Sequence, residues 1–362
     1  MSLAVDQVER ELARLWEDEA KKSGTARVEL LTLVALVSEP GLLQRAQGVI
    51  TEVVRKVPSR TIVAVWKDGP RPAITAEVAL HKAPGGAACG DAITLEAIGD
   101  AREWLPGNAD RLALSDLPVC IWWVGDLPDH DDLFDRMVLN ADVVIVNSQE
   151  MDLRDLEKLA SIATRGGGRY AIADLAWARL RWVQDLVARF FDDEQARAHL
   201  AGLQRIEIDF SPRDGEKDAT STLCGLLFGW LAHVLKLPTE APRWRRDETW
   251  AEVTLGEVVT RFEQRPQEGV RSGGLVRLSL VCNEARFELR RMEDPQAFHW
   301  SREAPDLQAL AQVFRVLSLD EPTLLLRCLE RPKRDPLLER SLDVAQRIVR
   351  SVAPRLSSLP PA

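Results

Sequence analysis

Two short runs narrow the fold of this chain more than anything else in it. Val119–Val124 (VCIWWV) is unbroken apolar sequence between Pro118 and Gly125, and Val143–Val146 (VVIV) is a second such run, closed by Asn147 and Ser148. Runs of this length, rich in β-branched and aromatic residues and flanked by turn residues, read as strands buried on both faces. Between them, Pro128 to Asp132 supplies turn and N-cap chemistry, and Leu133, Phe134, Met137 and Val138 follow at helical spacing. Strand, short helix, strand is a βαβ unit, whose crossover implies neighbouring parallel strands.

The flanking sequence extends this pattern. Val5, Val8, Leu12, Leu15 and Trp16 predict an amphipathic helix over 4–21, and Val28 to Val37 a strand. A helix from Pro40 to about Val54 and strands at Thr61 to Trp66, Ala73 to His81 and Ala92 to Ile98 follow, with a loop at 82–91. Tyr170 to Asp174 and residues 203–210 read as strands, Trp177 to Phe191 and Ala219 to Leu235 as helices. The expected fold is therefore α/β over residues 1–237, a mixed, largely parallel sheet flanked by helices. The composition shift at PTEAPRWRRDE marks a linker at 238–248, and residues 249–362 a smaller α+β C-terminal domain. In that domain a helix is expected near Pro305 to Leu317 and a strand over Thr323 to Cys328.

Bulk properties exclude several classes. With 362 residues and 46% apolar content the chain can bury real cores. Its 47 basic and 56 acidic residues give a net charge of −9, which argues against nucleic-acid or anionic-membrane partners. The charged N-terminus lacks a signal-peptide core, and the five scattered cysteines contain no CxxC, so a cytoplasmic protein with free thiols is expected. Cys120 and Cys224 lie in apolar runs and read as core; Cys89, in a Gly-rich stretch, is the candidate exposed thiol.

Catalytic and cofactor motifs are sparse. No GxGxxG, P-loop, GxSxG or HExxH pattern occurs. Arg165-Gly166-Gly167-Gly168-Arg169 follows a helix and precedes a strand, which is helix-terminating geometry rather than a phosphate loop. Asp129-His130-Asp131-Asp132 sits where carboxylates cap a helix, and that reading is preferred to a metal site. No cofactor, metal or catalytic residue is expected. Two places could clamp a ligand. Ser59-Arg60 stands at a strand entry, where arginine can hold phosphate or carboxylate bidentately. Asp174 ends a strand just before Trp177, Arg179, Arg181 and Trp182, and Asp126 follows the first buried run.

Several of these stretches carry a family resemblance. PSRTIVAV (58–65), ITLEA (93–97), LPVCIWWVGDLP (117–128), DLFDRMVLNADVVIVNS (132–148) and ADLAWARLRWVQDLVARFFDD (173–193) resemble, in order and spacing, the glucose-6-phosphate dehydrogenase assembly proteins of the OpcA type. The paired Trp122-Trp123 and the Asp-Leu-x-Trp-x-Arg-Leu string are the most specific parts. The chain departs from the pattern at Val57, where histidine usually precedes Pro-Ser-Arg, and at Cys89-Gly90-Asp91, where Cys-Glu-Gln is common. The resemblance implies a non-enzymatic partner of oligomeric glucose-6-phosphate dehydrogenase that promotes its assembly or active conformation. Eleven tryptophans and many arginines suit such an interface. The candidate partner- or ligand-binding residues are thus Ser59, Arg60, Trp122, Trp123, Asp126, Asp174, Trp177, Arg179, Arg181 and Trp182, with Trp244-Arg245-Arg246 as a further surface. The alternative is a site for a phosphorylated small molecule in the α/β domain, built on Ser59, Arg60, Asp126 and Asp174.

Overall fold

The computed structural model describes residues 3–125, 127, 132–150, 156–212, 222–246, 250–316, 319–330 and 334–350. Fifteen strands are described: β1 Thr32–Val37, β2 Arg60–Lys67, β3 Ala73–Lys82, β4 Ala88–Ile98, β5 Val119–Val124, β6 Val143–Val146, β7 Ala171–Asp174 and β8 Leu203–Phe210. They continue as β9 Arg243–Arg246, β10 Trp250–Leu255, β11 Val258–Gln264, β12 Leu275–Cys282, β13 Ala285–Arg291, β14 Ala297–Glu303 and β15 Leu310–Arg315. The α-helices are α1 Val8–Ser23, α2 Leu43–Val54, α3 Leu105–Leu112, α4 Asp132–Met137 and α5 Leu156–Arg165, followed by α6 Leu175–Arg189 and α7 Glu194–Ala198. The last three are α8 Thr222–Val234, α9 Glu321–Glu330 and α10 Pro336–Arg350. Among the described residues no helix is long and apolar enough to cross a membrane.

Two compact units emerge: residues 1–147, 163–175 and 320–335 form the first, and 148–162, 176–319 and 336–362 the second. The first unit holds a sheet in the order β3-β4-β2-β1-β5-β6-β7. All its pairings are parallel except β3 with β4. Every residue of β1 and β6 is buried, as expected for strands covered on both faces. From the central β1 the chain winds outward in both directions, through β2 and β4 on one side and β5, β6 and β7 on the other, so the topological switch lies between β1 and β5. Helix α1 buries Val8, Leu12 and Trp16 on one stripe and ends at Gly24, whose φ of 69° suits the left-handed C-cap. The glycines after α5 behave likewise: Gly167 (φ 54°) and Gly168 (φ 88°) stop the helix before β7.

The second unit is an eight-stranded sheet in the order β15-β14-β13-β12-β8-β11-β10-β9. Its boundary departs from the one expected at 237. Strand β8 pairs with β11 in parallel and β12 antiparallel, which makes it a central strand of this second sheet. The linker stretch contributes an edge strand, β9, paired with β10; residues 247–249 of it lie outside the described residues. Helix α8 is buried nearly all round and packs on α10 through Gly229, where a Cβ would come within 2.3 Å of the Ser341 carbonyl.

Two elements also change type. The segment expected as a helix near 305–317 pairs as edge strand β15, which β14 templates along its length. The stretch expected as a strand at 323–328 is part of α9. Its apolar run, Leu324-Leu325-Leu326, suits either structure, and Asp320 decides the start by accepting from the Thr323 N–H at 3.0 Å.

Candidate functional site

The parallel first sheet separates the residues expected to converge. Ser59 and Arg60 stand where β2 begins, whereas Asp174 is the last residue of β7 and Gly125 follows β5. In a parallel sheet these are opposite ends, so Ser59-Arg60 and Asp174 form no common site. Asp126 lies outside the described residues.

Arg60 is no open clamp. Its side chain is only 2% exposed. Its Nε donates to Asp91 Oδ2 at 2.9 Å, its Nη1 to the Leu112 carbonyl at 2.7 Å, and Nη1 and Nη2 to the Glu9 carboxylate at 2.5 and 3.1 Å. Asp91, fully buried, also accepts from Trp16 Nε1 at 2.7 Å and Arg27 Nη2 at 2.5 Å. Ser59 turns back on the Val57 carbonyl at 2.6 Å. Gly90 lets β4 approach here, since a Cβ there would lie 2.3 Å from the Ser59 carbonyl oxygen. Arg60 thus ties α1, the end of α3 and β4 to β2. Thr61 Oγ1 adds a bond to the Asp91 carbonyl and meets His81 Nε2 at 2.8 Å; burial pushes His81 down to about 4, so it is neutral at pH 7.

Glu29 enters the same cluster. Burial, and next the negative charge of Asp91, raise its carboxyl from 4.5 to about 7, against the pull of Arg27 and Arg60. Between those values the folded chain keeps a proton that the unfolded chain has released. Glu29 therefore supports the fold most fully below about 4.5, and this support is lost as pH rises through about 7. Urea unfolding at pH 5 and pH 8 should show the wild type losing on the order of 2 kcal/mol more than Glu29→Gln. Equal losses would remove Glu29 from the account.

At the carboxyl ends, by the switch point where open α/β sheets bind nucleotides, the turn after β1 is tied to the end of β5. The Ser38 N–H and hydroxyl both donate to the Val124 carbonyl, at 3.1 and 3.0 Å. Gly125 has φ 112°, and a Cβ on it would lie 2.0 Å from Ser38 Oγ. The β1–α2 turn reads Ser38-Glu39-Pro40-Gly41: Glu39 brings a carboxylate, and Pro40 lacks an N–H, where a pyrophosphate would need backbone donors. These residues do not fit a dinucleotide.

The motif tryptophans are mostly core. Trp122 is 1% exposed, Trp123 stacks edge-on against Phe134 at 5.2 Å, and Trp177 is buried. Asp174 is buried as well, beside Cys328, whose thiol burial and then the Asp174 charge push up to about 12. Burial likewise raises Cys120 to about 12 and Cys282 to about 11. Cys89 lies in β4, half-buried, not in a loop; burial raises its thiol too, the opposite of a reactive thiolate.

Helix α6 is different. Arg179 and Trp182, spaced to share a helix face, are half-buried, while Arg181 is exposed. Arg179 and Trp182 line a cavity of about 320 Å³ within the second unit, together with Arg271, Arg291 and Phe298. Arg179 donates to the Leu319 carbonyl at 3.2 Å, and Trp182 packs on Phe298 with ring centroids 4.4 Å apart. Arg271 and Arg291 were not singled out from sequence. The available signal was an arginine set among glycines, Gly269 and Gly273-Gly274.

With this geometry in view, similarity to known proteins settles the lineage. Residues 50–163 match the family model described as the glucose-6-phosphate dehydrogenase subunit N-terminal domain, and residues 170–342 the one described as its C-terminal domain. A Synechocystis protein named as OxPP cycle protein OpcA is 35% identical over 124 residues, 34% of this chain and 26% of that protein. A Nostoc punctiforme protein of the same name is 28% identical over 207 residues, 54% of this chain and 42% of the relative. The chain thus spans less than half the length of these relatives. Among solved structures, the aldose-aldose oxidoreductase from Caulobacter crescentus, complexed with glycerol, superposes with a TM-score of 0.50 at 10% identity, over 90% of this chain and 98% of that one. That likeness is one of Rossmann-like fold alone. On the two family models, which together cover most of its length, the chain belongs to the glucose-6-phosphate dehydrogenase assembly family of OpcA type.

Proposed function

We propose that this protein is a non-catalytic partner of glucose-6-phosphate dehydrogenase that binds the oligomeric enzyme and promotes its assembly or active conformation, and so NADPH supply. The observation that carries this reading is the pair of family models, described as the two domains of a glucose-6-phosphate dehydrogenase subunit, following one another along the chain. The placement of the motif residues supports it in a limited way. Trp122, Trp123 and Arg60 are buried in the fold and Trp182 lines the cavity beside α6, which leaves Arg181 and the Trp244-Arg245 edge strand as partner candidates. A protein that binds the active form of an enzyme more tightly than the inactive form shifts its population by that difference in free energy.

The test is to add the purified protein to the dehydrogenase of the same organism and follow NADPH formation across glucose-6-phosphate concentrations. A curve shifted at near-stoichiometric ratios is expected. In Arg181→Ala and Arg245→Ala, both exposed positions, the fold should be unchanged and more protein should be needed for the same shift. An unmoved curve, together with no comigration on a sizing column, would overturn the reading.

A further inference from the structure

The cavity beside α6 has a charge pattern that the partnership does not use. Arg291 projects from the end of β13 and is half-buried, yet its guanidinium meets only neutral groups. Its Nε donates to the Leu275 carbonyl at 2.8 Å, its Nη1 to the Pro295 carbonyl, and the ring of Phe298 lies 4.3 Å beneath it. Among the described residues neither Arg291 nor Arg271 forms an ion pair. The acid in the lining, Asp294, is committed elsewhere: it pairs with Arg315 at 3.0 Å and accepts from the Gln296 N–H at 3.0 Å. Burial pushes Arg291 down to about 10, the direction expected for a cation short of counter-charge.

The loop that carries Arg271 is held in place. Gly269 (φ 72°) and Gly273 (φ 68°) take conformations that favour glycine. The Gly273 N–H donates to the Ser211 carbonyl at 2.9 Å, and the Ser211 N–H returns a bond to Gly274 at 2.8 Å. A guanidinium on a braced loop loses less freedom when it captures a ligand. The lining also carries apolar and aromatic side chains, among them Leu180 and Trp182 of α6 and Phe298 of β14. A cavity of about 320 Å³ is within the range of small-molecule sites. Three arginines around one cavity stand out in a chain whose net charge is −9.

We propose that this cavity binds a small organic oxyanion, a phosphate or carboxylate on a flat, largely apolar body, with Arg271 and Arg291 clasping the head and Trp182 against the body. Forked guanidinium donors match the geometry of both head groups. The inference stands on the second unit alone and is independent of any dehydrogenase partner.

Calorimetric titration of the full chain tests it with two matched pairs: adenosine 5′-monophosphate beside adenosine, and indole-3-acetate beside indole-3-acetamide. At least one anion should bind with Kd below about 1 mM and roughly tenfold or more tighter than its neutral counterpart. Discrimination in the first pair only assigns a phosphate ester, and in the second only a carboxylate. Arg271→Ala and Arg291→Gln should each weaken that binding about tenfold, while Arg347→Ala, on the exposed side of α10, leaves it unchanged. Should Arg291→Gln fail to fold, Arg271→Ala on its exposed loop decides. No binding in either pair, equal binding of anion and neutral parent, or wild-type affinity in Arg271→Ala would overturn the proposal.

Discussion

Arg60→Ala is expected to lower the stability of the first unit by about 3–5 kcal/mol, the usual result of breaking a buried ion pair from one side. The size follows from what remains. Asp91 would stay fully buried with its charge, keeping Trp16 and the partly exposed Arg27 but losing its closest fully buried cation. The Leu112 carbonyl would lose its guanidinium donor, and Glu9 its link to the sheet. Desolvating two charges is itself costly, so the pair is no proof of net stabilisation; the asymmetry of removing one partner makes the effect large. Arg60→Lys should recover only part, because an ammonium cannot reach Asp91, Glu9 and the Leu112 carbonyl with the same planar fork. The check is urea unfolding followed by circular dichroism. A double replacement, Arg60→Met with Asp91→Leu, should be markedly less harmful than Arg60→Ala. If Arg60→Ala unfolds at the wild-type urea concentration, the ligand-clamp reading of Arg60 returns.

The second large effect concerns the paired tryptophans. Trp122 sits mid-strand in β5, level with Ala35 of β1 and Ile145 of β6, and is 1% exposed. Trp122→Ala should cost about 3–5 kcal/mol through lost burial and the cavity left behind. Trp122→Phe should cost distinctly less. Among the described residues the indole Nε1 has no acceptor, so phenylalanine gives up volume but no hydrogen bond. Trp16→Phe is the contrast, since that indole donates to buried Asp91. If Trp122 were an interface anchor, Trp122→Phe would weaken partner binding without unfolding the chain. The packing reading expects the reverse, with Trp122→Ala losing binding only in step with its fold, as sizing and unfolding measured on the same preparation would show.

What the sequence determined by itself is local. The runs 119–124 and 143–146 are short, rich in β-branched and aromatic residues and bounded by turn residues, and helical spacing lies between them, so β5, α4 and β6, and with them parallel pairing, were readable from neighbouring residues. The glycines after α5 stop a helix because their backbone reaches positive φ, a property of the residue rather than of its surroundings. The cysteines of the apolar runs are core for the same reason. Family membership was also legible, because it rests on the order of motifs.

Only the tertiary structure decided the rest. Strand β8 has the same local pattern whichever sheet it joins, and its allegiance comes from β11 and β12, some fifty and seventy residues further on. Leu324-Leu325-Leu326 fits strand or helix equally until Asp320 caps it. Arg60 looked like a ligand clamp because its partners Glu9, Asp91 and Leu112 lie far away in sequence, and strand direction put Asp174 at the other end of the sheet. The cavity beside α6 brings Arg179 together with Arg271 and Arg291, which lie about a hundred residues further along the chain. Hydrophobic period is written in neighbouring residues, but burial, counter-charge and convergence are properties of what the fold brings alongside, and only the folded chain specifies those.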